Sequence, residues 1–80
     1  VRTSTTIKFG LPKDSDVRIE VFNIAGQKVK TLASGKLNAG YHTVTWKGAN
    51  DNGQKVAAGV YLVRMVTPEF TGTRKMTVLR

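Results

Sequence analysis

The stretch Asn38 to Met65, NAGYHTVTWKGANDNGQKVAAGVYLVRM, decides how this chain folds. Two runs of alternating β-branched and aromatic residues, Tyr41 to Lys47 and Val60 to Thr67, flank a segment crowded with Gly, Asn and Asp. That pattern predicts a chain that runs extended, turns, and runs extended again. In the first run His42, Val44 and Trp46 share one face, while Tyr41, Thr43 and Thr45 share the other. The second run is the most apolar in the sequence, with Tyr61, Val63 and Met65 opposing Val60, Leu62, Arg64 and Val66. Near-continuous apolar character predicts a central strand. Gly48 to Gly53 is the strongest turn, because Asn, Asp and Gly tolerate left-handed backbone. Gln54 to Ala57 is at most a short edge strand.

Upstream, Ile7, Phe9 and Leu11 alternate with Thr6, Lys8 and Gly10, which predicts a strand from Thr5 to Leu11 with one apolar face. Pro12 lacks an amide donor and stops it, and Lys13 to Asp16 is a polar turn. A second strand runs from Asp16 to Asn23, with Val17, Ile19 and Val21 on the buried side and Arg18 and Glu20 on the wet side. Asn23-Ile24-Ala25-Gly26 is too short for a helix and carries Gly where a hairpin needs positive φ, so the chain doubles back into Gln27 to Leu32. Ala33 to Lys36 is expected as a Gly-containing loop, and Asn38-Ala39-Gly40 as another turn. Downstream, Pro68 to Gly72 is expected as a loop and Thr73 to Leu79 as the last strand, with Met76 and Val78 opposing Lys75, Thr77 and Leu79.

The expectation is an all-β fold, an immunoglobulin-like antiparallel β-sandwich of about seven short strands, with a small open barrel as the alternative. Eighty residues make a single domain, 1–80, of which 1–4 is expected to be the remnant of a linker. A chain this short buries only about 60% of the surface its unfolded form exposes, so stability is modest. The absence of cysteine excludes a disulfide framework and a thiolate metal site. No apolar run approaches the roughly 18 residues of a membrane span, and membrane insertion is not expected. The first residues, VRTSTT, lack the apolar core of a signal peptide. Internal repeats and low-complexity tracts are not expected.

Thirteen Lys and Arg against five Asp and Glu give a net charge of +8. A field of that size attracts anions. Yet Lys8, Arg18, Lys28 and Lys30 sit between apolar neighbours at strand spacing, which places them on the wet face of half-buried strands. Without a nucleic-acid recognition motif, no specific nucleic acid is expected as a partner. Catalysis is poorly supported, because there is one histidine and the carboxylates Asp14, Asp16, Glu20, Asp51 and Glu69 are dispersed. Ser34, His42 and Asp51 could nominally form a triad, as could a triple drawn from any chain of this size. Asn50-Asp51-Asn52-Gly53 looks like the start of a calcium loop but lacks the further carboxylates that calcium needs, so it reads as a plain turn. No cofactor, metal or catalytic residue is expected. Trp46 and Tyr61 read as core anchors, since each aromatic buries about 150 to 250 Å². Exposed strand edges are templates for strand addition, the C-terminal strand above all.

Three segments carry a family resemblance: Val21-Phe22-Asn23-Ile24-Ala25-Gly26-Gln27-Lys28-Val29, Ala39-Gly40-Tyr41-His42 through Trp46, and Ala57-Ala58-Gly59-Val60-Tyr61 followed by Arg64. In this order they resemble the C-terminal sorting domains of type IX secretion cargo, relatives of the immunoglobulin-like domain of the flagellar hook-capping protein. The ending Arg74-Lys75-Met76-Thr77-Val78-Leu79-Arg80 is similar to the basic, apolar, basic ending of the sorting branch. The Asn-Pro that precedes this region in that branch is absent here.

The resemblance implies a non-enzymatic secretion and sorting signal at the C-terminus of a larger cargo protein. Its implied partners are an outer-membrane secretion translocon, a sortase-like peptidase and the N-terminal cargo domain of its own parent. The implied location is the periplasm in transit, then the cell surface or the medium. Recognition by the translocon is expected to involve Gly59, Tyr61, Arg64, Lys75, Val78, Leu79 and Arg80. The alternative is a structural immunoglobulin-like interaction module, resembling the hook-capping domain or contacting protein or carbohydrate, inside a larger extracellular protein.

Overall fold

A computed structural model describes residues 5–79, so the expected linker remnant 1–4 and Arg80 lie outside the described residues. Six strands follow one another: β1 (Thr5–Leu11), β2 (Ser15–Asn23), β3 (Lys28–Leu37), β4 (Gly40–Trp46), β5 (Gly59–Thr67) and β6 (Phe70–Val78). They form two antiparallel sheets, a small one of β1 and β4 and a larger one in the order β3-β2-β5-β6. β5 lies between β2 and β6, as its apolar character on both faces predicts.

The core lies between the sheets. Val17, Ile19 and Val21 of β2 and Tyr61 and Val63 of β5 are buried from one side, Leu11 and Trp46 from the other, and Val78 closes the end of β6. Each such side chain contributes about 1.5 to 3 kcal/mol relative to leaving it in water. Alternation alone selects these residues, because successive strand side chains point to opposite faces. Trp46 donates its indole N–H to the Ala49 carbonyl at 2.9 Å, and the Tyr61 hydroxyl donates to the Ala57 carbonyl at 2.7 Å. No buried side-chain polar atom among the described residues lacks a partner. A tyrosine at the start of a central strand, bonded back four residues, is the corner device of immunoglobulin-like sandwiches.

Three boundaries differ from the expectation, and the strands number six rather than about seven. Ala33 to Lys36 is not a loop, because β3 continues to Leu37 opposite β2. Its Gly35, at φ +133, pairs with Val17, and the ladder absorbs two irregularities on the way. Pro68 to Gly72 shrinks to the turn Pro68-Glu69, since Thr67 already pairs with Phe70 and Gly72 with Met65. In both cases a glycine read as a breaker is held in the strand by its neighbour. Gln54 to Ala57 forms no strand, only an isolated bridge between Ala49 and Lys55.

The turns contain a repeat where none was expected. Asn23-Ile24-Ala25-Gly26-Gln27 and Asn50-Asp51-Asn52-Gly53-Gln54 share the pattern Asn-x-x-Gly-Gln and the same bonds. In each, the Asn Oδ1 accepts two backbone N–H groups, from Ala25 and Gln27 or from Asn52 and Gln54. In each, the Asn side-chain amide donates to the Gln Oε1, at 2.9 Å and 3.2 Å. The glycines take φ +83 and +82, the left-handed backbone for which glycine is the cheapest residue.

The second of these turns is docked. The backbone N–H of Asp51 donates to the Val29 carbonyl, and its carboxylate accepts the N–H of Thr31, both at 3.1 Å. The loop thereby occupies part of the free edge of β3, which limits pairing of that edge with another chain.

Candidate interaction surface

The residues of the nominal catalytic triad are each engaged elsewhere. His42 stacks on Phe9 with ring centroids 5.5 Å apart, and its Nε2 lies 2.7 Å from the Asn38 carbonyl oxygen. Asp51 is tied to Thr31 and lies 3.7 Å from the Lys30 ammonium, while Ser34 sits within β3 opposite Arg18. Among the described residues no three His, Cys, Asp or Glu side chains gather as a metal site would need. In the Asn50 loop the Asn50 Oδ1 accepts the N–H groups of Asn52 and Gln54, and the Asp51 Oδ1 accepts that of Thr31, the bonds of a docked turn. A depression between the two Asn-x-x-Gly-Gln turns is polar, but its Asn23, Asn50 and Gln27 amides are bonded within the turns.

The outer face of the four-stranded sheet has a different character. Register places Lys28, Phe22, Leu62 and Lys75 in one row across it, and Thr31, Glu20, Arg64 and Thr73 in the next. Arg18 and Val66 pair in the third row. Phe22 and Leu62 occupy the parity that is polar elsewhere in β2, so half-buried apolar side chains sit on the solvent side. Val60, at the same parity, is also exposed. A shallow hollow of about 400 Å³ opens there, lined by Phe22, Leu62, Arg64, Thr71 and Thr73.

Its electrostatics are one-sided. Glu20 is the only acid in these rows, and it is partly covered, with Arg18 Nε at 3.4 Å and Lys28 Nζ at 3.9 Å. Arg64 and Lys75 are exposed and carry the remaining positive charge. An apolar centre with a cationic rim suits a partner that is apolar in the middle and acidic at its border.

Of the residues expected to be recognised, Arg64 and Lys75 fall on this face. Leu79 is exposed just past β6. Tyr61 and Val78 are core residues, at 7% and 0% exposure, and Gly59 pairs with Val78 at the strand ends. Phe22 and Leu62 were not foreseen as surface residues. Their signal is an apolar residue at a wet parity, visible in the sequence once the face of each strand is known.

The sequence matches the family model of the FlgD Ig-like domain over residues 2–69. Among solved structures it is similar to FlgD from P. aeruginosa, at 21% identity and a TM-score of 0.70, covering 95% of this chain. The chain spans 64% of the length of that relative. At this identity the likeness speaks for the fold. No curated protein matches the sequence.

Proposed function

The chain belongs to the FlgD Ig-like domain family, and from that premise we propose that it is a non-catalytic interaction module of a larger extracytoplasmic protein. It docks the outer face of its four-stranded sheet on the surface of a neighbouring subunit. The observation that carries this reading is the pairing of half-buried Phe22 and Leu62 with the exposed cations Arg64 and Lys75 on one face. Apolar contact would supply affinity there, and the cations would supply steering toward an acidic surface. A setting in the periplasm or at the cell surface is part of the proposal.

The reading as a sorting signal rests on the ending Arg74 to Arg80 and on the resemblance that accompanies it. The family match supports the module reading instead, so the module is preferred.

Charge reversal tests it. Replacing Arg64 and Lys75 by Glu in the intact parent protein, with folding checked by circular dichroism, is expected to weaken association with its neighbouring subunit at least tenfold. Lys47→Glu, exposed just past β4 of the other sheet, serves as the control. Association unchanged by the double reversal would overturn the reading.

A further inference from the structure

The two sheets are unequal, and the inequality leaves an open trough. β4 lies beside β3 at one side of the sandwich, so β1 is the last strand of the small sheet on the other side. Among the described residues no strand pairs with the edge of β1 that faces away from β4. The inner face of β6 is therefore covered only toward its end. Val78 is fully buried, but Phe70 is 53% exposed and Arg74 is exposed although it shares the core-side parity with Val78.

Between β1 and β6 lies a groove of about 280 Å³. Phe9, Val63, Met65 and Phe70 give it an apolar lining, and Gly72 leaves the Phe70 ring room to lie across the strand. A Cβ on Gly72 would sit 2.8 Å from the tip of that ring. Lys8 and Arg74 stand at the rim, and no acid lines the groove.

We propose that this groove is a strand-acceptor site, filled by an extended segment of a partner polypeptide in which apolar residues alternate with acidic ones. Three features select that occupant. The bare edge of β1 offers backbone N–H and C=O groups to an added strand. A strand laid there projects every second side chain onto Phe9, Met65 and Phe70. The two rim cations, in a chain of net charge +8, favour carboxylates on the incoming strand and disfavour a second copy of this chain. The site is separate from the outer sheet face and does not depend on it.

The probe is a blocked peptide, Thr-Val-Glu-Val-Glu-Val-Thr, added at millimolar concentration to the 80-residue chain. Amide exchange and NMR shifts locate where it binds. The expected result is slowed exchange at β1 amides facing away from β4, with shifts at Phe70 and Gly72. Lys8→Glu with Arg74→Glu is expected to weaken binding at least tenfold, and the milder Lys8→Gln with Arg74→Gln severalfold with the fold intact. Three outcomes would overturn the proposal: no protection of β1, protection at the edge of β3 or the outer edge of β6 instead, or equal binding of a peptide with Lys in place of Glu. Arg64→Glu with Lys75→Glu is expected to leave the β1 protection in place, so failure of the outer-face reading and failure of this one are told apart.

Discussion

The rings of Trp46 and Tyr61 meet edge to face across the sandwich, with centroids 5.4 Å apart and planes inclined by 64°. The contact joins β4 of the small sheet to β5 of the large one, and each ring also closes a local loop through its polar atom. Edge-to-face pairs of this kind add about 0.5 to 1.5 kcal/mol to the area they bury. The same two side chains thus hold the sheets together and shape the segment between them.

Truncating either ring tests this. Trp46→Ala is expected to cost about 3 to 5 kcal/mol, a large share of the stability of a small domain. Tyr61→Phe keeps the ring contact and removes the bond to the Ala57 carbonyl, at a cost of about 0.5 to 1.5 kcal/mol. Urea unfolding followed by tryptophan fluorescence measures Tyr61→Phe, and circular dichroism measures Trp46→Ala. A Tyr61→Phe variant as stable as the parent would show that the corner bond is idle.

The twin turns make a paired prediction. Asn23→Ala and Asn50→Ala each remove the acceptor of two backbone N–H groups, at about 1 to 2 kcal/mol for partly solvated bonds. Asn50→Ala is expected to cost more, because its turn also holds Asp51 against β3. Thermal unfolding of the two variants gives the order directly. Gly53→Ala, at φ +82, is expected to cost about 1 to 2 kcal/mol through left-handed strain.

Asp51→Ala removes the acceptor of the Thr31 N–H. Hydrogen exchange at Thr31 is expected to speed at least tenfold, while Asp51→Asn, which keeps the oxygen, preserves most of the protection. Light scattering of Asp51→Ala at high protein concentration is expected to show self-association through the uncovered edge of β3. A strictly monomeric variant would mean that the backbone contact of residue 51 suffices as a guard.

The pair Lys13 and Glu69 links the β1–β2 turn to the β5–β6 turn. The hydrogen bond to the Glu69 carboxylate, and then its charge, raise the Lys13 pKa above its ordinary 10.5. Because the folded value is the higher one, the stabilisation is fully present below the ordinary value and is lost as pH rises through the raised one. The group is exposed, so the effect is small and weakens with salt. Melting temperatures of the parent and of Lys13→Gln are expected to converge as pH climbs past that range.

Alternation is a local property, and it made the buried faces legible. Val17, Ile19 and Val21, the Val44 and Trp46 face, and the Tyr61, Val63 and Met65 face all follow from a period of two, while the central place of β5 follows from its near-continuous apolar run. Arg64 and Lys75 were readable as exposed cations for the same reason. Tyr61 and Val78 were expected among recognised residues, yet their parity already placed them inward, and the core holds them.

What the chain could not spell out locally is which edges meet. Whether Gly35 and Gly72 end a strand or sit within one depends on partners in β2 and β5, and only those pairings keep the backbone extended there. The docking of Asp51 on β3 joins residues about twenty positions apart, beyond the reach of any local pattern. The division into two strands against four, which bares β1 and opens the groove over Gly72, exists only once the sheets have closed. Sequence alone therefore determined the inward and outward sense of the regular strands β2, β4 and β5, since that is set residue by residue, whereas in β3 the two bulges shift it. Tertiary structure decided the edges and the trough between them, since long-range pairing, with its loop-closure cost, selects which backbone groups remain unpaired.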